Sequence, residues 1–324
     1  MQSKPINNMP DEPYLDLLDK VDFNPIFIMG DHRSGTTALY QILVATECFN
    51  YLNAYQIIKY DELLDGYING TQEQTRQELE QLFNSLQISD RLLDEVKATP
   101  DLPEEYGFIL KNSGYESYLS PENLKLFTQL CKKIKFISSL EKPLLLKNPW
   151  CFPNFIYIKS VIPKAKFVFI HRHPLYVMNS KLKAVRLMLS VKSSYIQLIN
   201  KEYKQIFDQP IRRFIFQVLY SGLFNLGLRR VTQQSLLSTS YFLEHIKLLP
   251  IDDYISIRYE DLCQTPELTI LKILNFLKIE AKATLDYRKL ITPRSLKLLP
   301  EVQRSRAQIC SKLQAYLTYC SYQV

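Results

Sequence analysis

The sequence predicts an α/β fold, with a central, mostly parallel sheet covered by helices on both faces. Three observations predict it. Short apolar runs end in polar residues, which is how strands buried on both faces read. Stretches with helical spacing alternate with those runs. The first run enters a loop with glycines at 30 and 35, and a helical pattern follows at once.

That first run, Pro25-Ile-Phe-Ile-Met-Gly30, predicts a strand at 25–30, and the helix after the loop carries Leu39, Ile42 and Leu43 on one face. Strand, glycine loop and helix form a phosphate cradle. Successive backbone N–H groups curl round the anion, and the helix N-terminus adds positive partial charge. Arg33 and the hydroxyls of Ser34, Thr36 and Thr37 crowd this turn. The glycine spacing is that of a Walker A loop, but Thr36 stands where its lysine belongs and Arg33 is the loop's only cation. The pattern therefore argues against an NTPase and for an enzyme that grips a phosphate without metal.

Further strands are predicted at 144–147, 166–172 and 254–259. Helical spacing recurs at Leu79/Leu82/Phe83/Leu86, at Phe127/Leu130/Cys131/Ile134 and at Ile270/Ile273/Leu274/Leu277. Thr265-Pro266 reads as the start of the last of these, with a hydroxyl cap and proline in the first turn. Residues 1–24 form a leader and 25–324 a single domain, whose largely helical stretches at 60–140 and 186–250 are expected to cap the site. The apolar run at 214–228, bracketed by Arg212-Arg213 and Arg229-Arg230, is shorter than the ~20 residues of a membrane span and predicts a buried core helix, with a groove for a greasy acceptor as the second reading.

The chain has 40 basic and 33 acidic residues, a net charge of +7, which suits an anionic ligand but is too mild and too dispersed for nucleic acid. Six cysteines lack C-x-x-C spacing and do not cluster with the four histidines, so no metal is expected. Free thiols and a polar, acidic N-terminus without a secretory pattern point to the cytoplasm.

The second functional signal is Lys166-Phe-Val-Phe-Ile-His-Arg172-His-Pro174, with Ser180 two turns into the following helix. A strand delivers an arginine, whose planar fork suits a phosphate. Together with the glycine loop this suggests two anion subsites, and so a nucleotide phosphorylated at both ends of its ribose.

These motifs resemble the sulfotransferases that use 3′-phosphoadenosine 5′-phosphosulfate, and most closely the R-S-G-T-T branch of tyrosylprotein and many bacterial enzymes. Pro103-Glu-Glu-Tyr106, Leu145-Leu-Lys147-Asn-Pro149, Arg258-Tyr-Glu-Asp-Leu262 and Leu299-Pro-Glu301 have counterparts there in the same order. The resemblance implies a P-loop NTPase-like three-layer fold. It implies that Arg33, Ser34, Gly35, Thr36 and Thr37 hold the 5′-phosphosulfate, with Arg33 also neutralising the leaving oxygen. Lys147 would reach the sulfuryl group, and Arg172, Ser180 and a late basic loop with Arg294 would hold the 3′-phosphate. The acceptor would be a hydroxyl or amine of a small molecule, glycan or lipid. Gln56 stands where the branch has its glutamate base, Pro149 where the cytosolic branch has a histidine, and His173 where Arg-Asp-Pro has aspartate. His32, Asp61, Glu62 and Glu105 are the remaining candidates for the base. A P-loop kinase and a catalytically inactive nucleotide-binding protein are the alternative readings.

Overall fold

The protein is described by a computed structural model over residues 9–94, 96–280, 285–291 and 297–323. Five strands, β1 (Pro25–Met29), β2 (Asn50–Tyr51), β3 (Leu144–Lys147), β4 (Lys166–His171) and β5 (Tyr254–Arg258), form one sheet in the order β2-β3-β1-β4-β5. All four pairings are parallel. The chain leaves β1 toward one edge and later reaches β4 on the other side. Sheets of this kind bind ligands beyond the strand carboxyl ends at such a reversal.

Side chains alternate between the two faces, as the pleat requires. Phe27, Met29, Leu144, Leu146, Phe167 and Phe169 enter one core, and Ile26, Ile28, Leu145, Val168 and Ile170 enter the other. The elements used below are α1 (Thr36–Ala45), α2 (Ala54–Ile58), α3 (Leu124–Ile137), α4 (Pro174–Ser190), α5 (Pro210–Tyr220), α6 (Leu226–His245) and α7 (Pro266–Leu277). Phe127 of α3 and Phe242 of α6 pack in the first core. Leu39, Ile42 and Leu43 of α1 and Ile270, Ile273 and Leu274 of α7 pack in the second. The faces of α1, α3 and α7 are the ones the spacing predicts.

Three expectations are corrected. β2 was missed, because two residues carry no periodic signal. The Thr265 hydroxyl does not cap α7; it donates to the Asp261 carbonyl (3.2 Å), one turn back. The run at 214–228 is not a buried core helix. α5 ends at Tyr220, the chain bends, and Asn225 adopts φ 54° before α6 begins. Phe216, Leu219 and Tyr220 suffice to seat α5 on the core, and its other apolar face is exposed.

The end of β4 is pinned by His171. Its ring is buried, 4.8 Å from the Phe242 ring, with Nδ1 2.8 Å from the Tyr316 hydroxyl and Nε2 3.2 Å from Ser256 Oγ. Burial pushes its pKa down to about 3 from 6.5. Below pH 6.5 the unfolded chain binds the proton that the folded chain refuses, so stability is full above that pH and falls as pH drops toward 3. Its share at pH 5 is about 2 kcal/mol. Stability measured by urea titration at pH 7.5 and pH 5 should fall by about this much more in the native protein than in His171→Gln. Equal losses would show that His171 is not held neutral.

Candidate active site

The carboxyl ends of β1, β3 and β4 are brought together by the strand register, which sets Ile28 beside Lys147 and Met29 beside Phe169. The turn after β1 is tightly constrained. A Cβ on Gly30 would lie 2.6 Å from the Ile170 carbonyl oxygen. Arg33 takes φ 73°, an uncommon conformation for a side-chain-bearing residue and one often found at working sites. Gly35 takes φ 102° at the N-cap of α1, and a Cβ there would lie 2.2 Å from Tyr259 Cδ2. Only glycine fits that position.

Arg172 follows β4 and is buried. Its guanidinium lies over the Tyr259 ring at 4.5 Å, and Nη1 donates to the Arg33 carbonyl (3.2 Å). Its Nε has no hydrogen-bond partner among the described residues, and no carboxylate forms an ion pair with it there. An arginine held face-on with a buried donor to spare is suited to an anion. Arg33 Nε donates to Ser180 Oγ (3.1 Å) and Nη2 to the Leu93 carbonyl (3.2 Å), so this side chain reaches across toward α4.

Both arginines line one cavity of about 1170 Å³, together with Gly35, Thr36 and Thr37 at the start of α1. Part of its lining is apolar, with Phe108, Trp150, Met188, Ile196 and Leu237. Room, a helix N-terminus and the spare Arg172 donor fit a nucleotide with phosphates at two points.

Of the candidate bases, His32 and Glu105 reach this cavity. The His32 ring stands edge-on to Trp150 at 5.0 Å, and burial, helped by the Lys181 ammonium, pushes its pKa down to about 4. Glu105 Oε1 lies 2.7 Å from Lys147 Nζ. Burial alone would raise its pKa, but the Lys147 ammonium and the Arg91 guanidinium prevail and hold it below the usual carboxylate range. Asp61 is exposed, and Glu62 pairs with Lys59 (3.0 Å); neither lines the cavity. Gln56 is buried in a reciprocal cap of α2, its Nα–H donating to Asn53 Oδ1 (2.9 Å) and its Oε1 accepting from the Asn53 N–H (3.1 Å). Its lack of basicity therefore says nothing about the cavity.

Two of the expected site residues, Lys147 and Ser34, are not among the residues lining this cavity. Lys147 is fully buried one layer behind the wall, where Nζ donates to Thr37 Oγ1 (3.0 Å) as well as pairing with Glu105. The Ser34 hydroxyl is buried, without a hydrogen-bond partner among the described residues, in a small hollow beneath the loop, beside Asp31, Arg172 and Ser235, and its N–H donates to the Asp31 carbonyl (3.0 Å). Ser34 thus shapes the turn from below. Arg294 lies outside the described residues. His173 does cap α4, its Nδ1 accepting from the Leu175 N–H (3.3 Å).

Sequence reasoning gives Tyr259 only as one residue of a shared motif, with no role at the site, and misses the buried pair of Asp31 with Lys181 (2.6 Å), which Ser235 joins at 2.7 Å from Lys181 Nζ. Their only linear signal is adjacency to residues already singled out.

A family model described as the sulfotransferase family matches residues 25–283. The chain belongs to the sulfotransferase family. Among solved structures, a sulfotransferase from Mycobacterium avium aligns with a TM-score of 0.60 at 13% identity, covering 98% of this chain and 81% of that one. A sulfotransferase from Mycobacterium tuberculosis aligns with a TM-score of 0.59 at 15% identity, covering 94% and 80%. One from Alicyclobacillus acidocaldarius gives 0.51 at 11%, covering 94% and 98%. At such identities the likeness speaks for the fold, which is the P-loop NTPase-like α/β sandwich of this family. No curated protein matches the chain.

In this sulfotransferase, Gly35→Ala must strain the backbone and displace a ring at its rigid base, so it should cost about 2 kcal/mol or more. Urea denaturation measures the loss, and wild-type stability would show that the loop is not packed on Tyr259 as described.

Proposed function

We propose that this protein transfers a sulfuryl group from 3′-phosphoadenosine 5′-phosphosulfate to the hydroxyl group of a largely apolar acceptor. One observation carries the reading: two arginines delivered by different strand ends line one cavity with the N-terminus of α1. Family membership supplies the sulfuryl chemistry. The start of α1, with Thr36 and Thr37, would receive the 5′-phosphosulfate, and Arg172 with Ser180 the 3′-phosphate. The apolar part of the lining would receive the body of the acceptor.

In the transfer the acceptor oxygen attacks sulfur and its proton passes to the Glu105 carboxylate. The bond from sulfur to the bridging oxygen breaks, and its electron pair leaves on the 5′-phosphate of adenosine 3′,5′-bisphosphate. Arg33 is the cation at hand for that charge. Preorganised donors of this kind are typically worth a hundredfold or more in rate each. Glu105 is favoured over His32 because the neighbouring ammonium keeps it ionised and pointed at the cavity wall. Lys147 then acts by positioning Glu105 and Thr37.

Two measurements test this. Adenosine 3′,5′-bisphosphate at a hundred times its dissociation constant should stabilise the protein by about 2.7 kcal/mol, with no comparable effect of ATP–Mg²⁺; the reverse pattern would favour a kinase. Glu105→Gln should lower kcat by about 10²–10⁴-fold while bisphosphate affinity changes little. Because that change strands a buried ammonium, Glu105→Gln combined with Lys147→Met serves as the stability control. Undiminished kcat in Glu105→Gln would remove Glu105 from the reaction.

A further inference from the structure

The corner formed by α5, the bend after it and the start of α6 presents an apolar surface to solvent. Ile211, Phe214, Ile215, Leu223 and Phe224 each expose more than half of their surface. Positions 211, 214, 215 and 218 follow helical spacing, so α5 carries a second apolar stripe opposite the one seated on the core. Exposed patches of this kind mark interaction sites.

The charge pattern selects the occupant. Between Asp208 and Glu244 the chain carries Arg212, Arg213, Arg229 and Arg230 and neither aspartate nor glutamate. Glu301, which approaches the bend at Gly222, is buried and paired with Arg186 (2.5 Å). Large exposed apolar and aromatic side chains bracketed by arginines, with no acidic residue among them, match the headgroup region of an anionic bilayer. Among the described residues no helix is long and apolar enough to cross a membrane, so the corner would lie on the surface.

The position of this corner adds a second reason. Tyr220 at the end of α5 and Val231, Gln234, Leu237 and Ser238 of α6 also line the cavity, and Leu237 is exposed as well. The apolar patch and the cavity wall are thus built from the same two helices.

We propose that this corner docks on an anionic lipid bilayer, inserting Phe214, Leu223 and Phe224 below the headgroups and setting the arginines against lipid phosphates. Its consequence for acceptor choice, a hydroxyl-bearing molecule dissolved in the bilayer, rests on the proposed function; the docking itself does not.

Vesicle flotation with the full chain tests it. Vesicles of phosphatidylcholine with about one-third phosphatidylglycerol should carry the protein upward, pure phosphatidylcholine should carry far less, and raised salt should release it. Arg229→Gln with Arg230→Gln should weaken binding about 25-fold, at roughly fivefold per basic residue. Phe214→Ser with Leu223→Ser and Phe224→Ser should abolish it while thermal stability and bisphosphate binding persist, since none of these lines the cavity. No binding to anionic vesicles, or unchanged binding by the serine variant, overturns the proposal. So does a dimer in analytical ultracentrifugation that the serine variant dissolves, because a second copy would then own the face. Flotation needs no turnover, so its failure leaves sulfuryl transfer standing, and failure to transfer leaves the docking result standing.

Discussion

The site depends on the Tyr259 ring, which meets both Gly35 and Arg172. The ring occupies the space that any Cβ at position 35 would need, which fixes the left-handed turn that starts α1. It also lies under the Arg172 guanidinium at 4.5 Å. A cation over an aromatic face in a partly desolvated place is worth on the order of 1–2 kcal/mol. More important is that the contact gives the arginine one orientation. The turn after β1 and the strand-end cation of β4 are therefore held against one aromatic ring, that of the residue following β5.

The charges of the cavity divide in the same spirit. Lys147 faces Glu105, Lys181 faces Asp31, and Arg91 faces Glu104 at 3.4 Å and Asp94 at 3.3 Å. These buried cations have carboxylate partners, and breaking one such pair leaves a charge stranded at a cost of several kcal/mol. Arg172 instead has no carboxylate partner, and its buried Nε lacks a hydrogen-bond partner, among the described residues. A site that cancels most of its own charge yet keeps such a donor over is suited to an anion that arrives from outside.

Much of this was legible in the sequence wherever function and local geometry coincide. Glycines five apart after an apolar run, and Arg172 at the end of another, signal through neighbours in the chain. What was not legible depends on long-range placement. Gln56 and Glu105 could be ranked only after the capping of α2 and the ion pair with Lys147 were visible. Tyr259 could not be singled out within its motif because nothing in its own segment shows that Gly35 and Arg172 come to its ring. The apolar face of α5 looked like core because periodicity reports that a helix has apolar stripes, not how many of them find a partner.

The central claim is that opposite ends of one nucleotide are gripped by separate cationic strand ends. Calorimetric titration of adenosine 3′,5′-bisphosphate against adenosine 5′-monophosphate and adenosine 3′-monophosphate tests it most directly. The account predicts that the bisphosphate binds about ten- to a hundredfold tighter than either monophosphate, because each phosphate adds its own charge-assisted hydrogen bonds. A bisphosphate that binds no tighter than the 5′-monophosphate would contradict it.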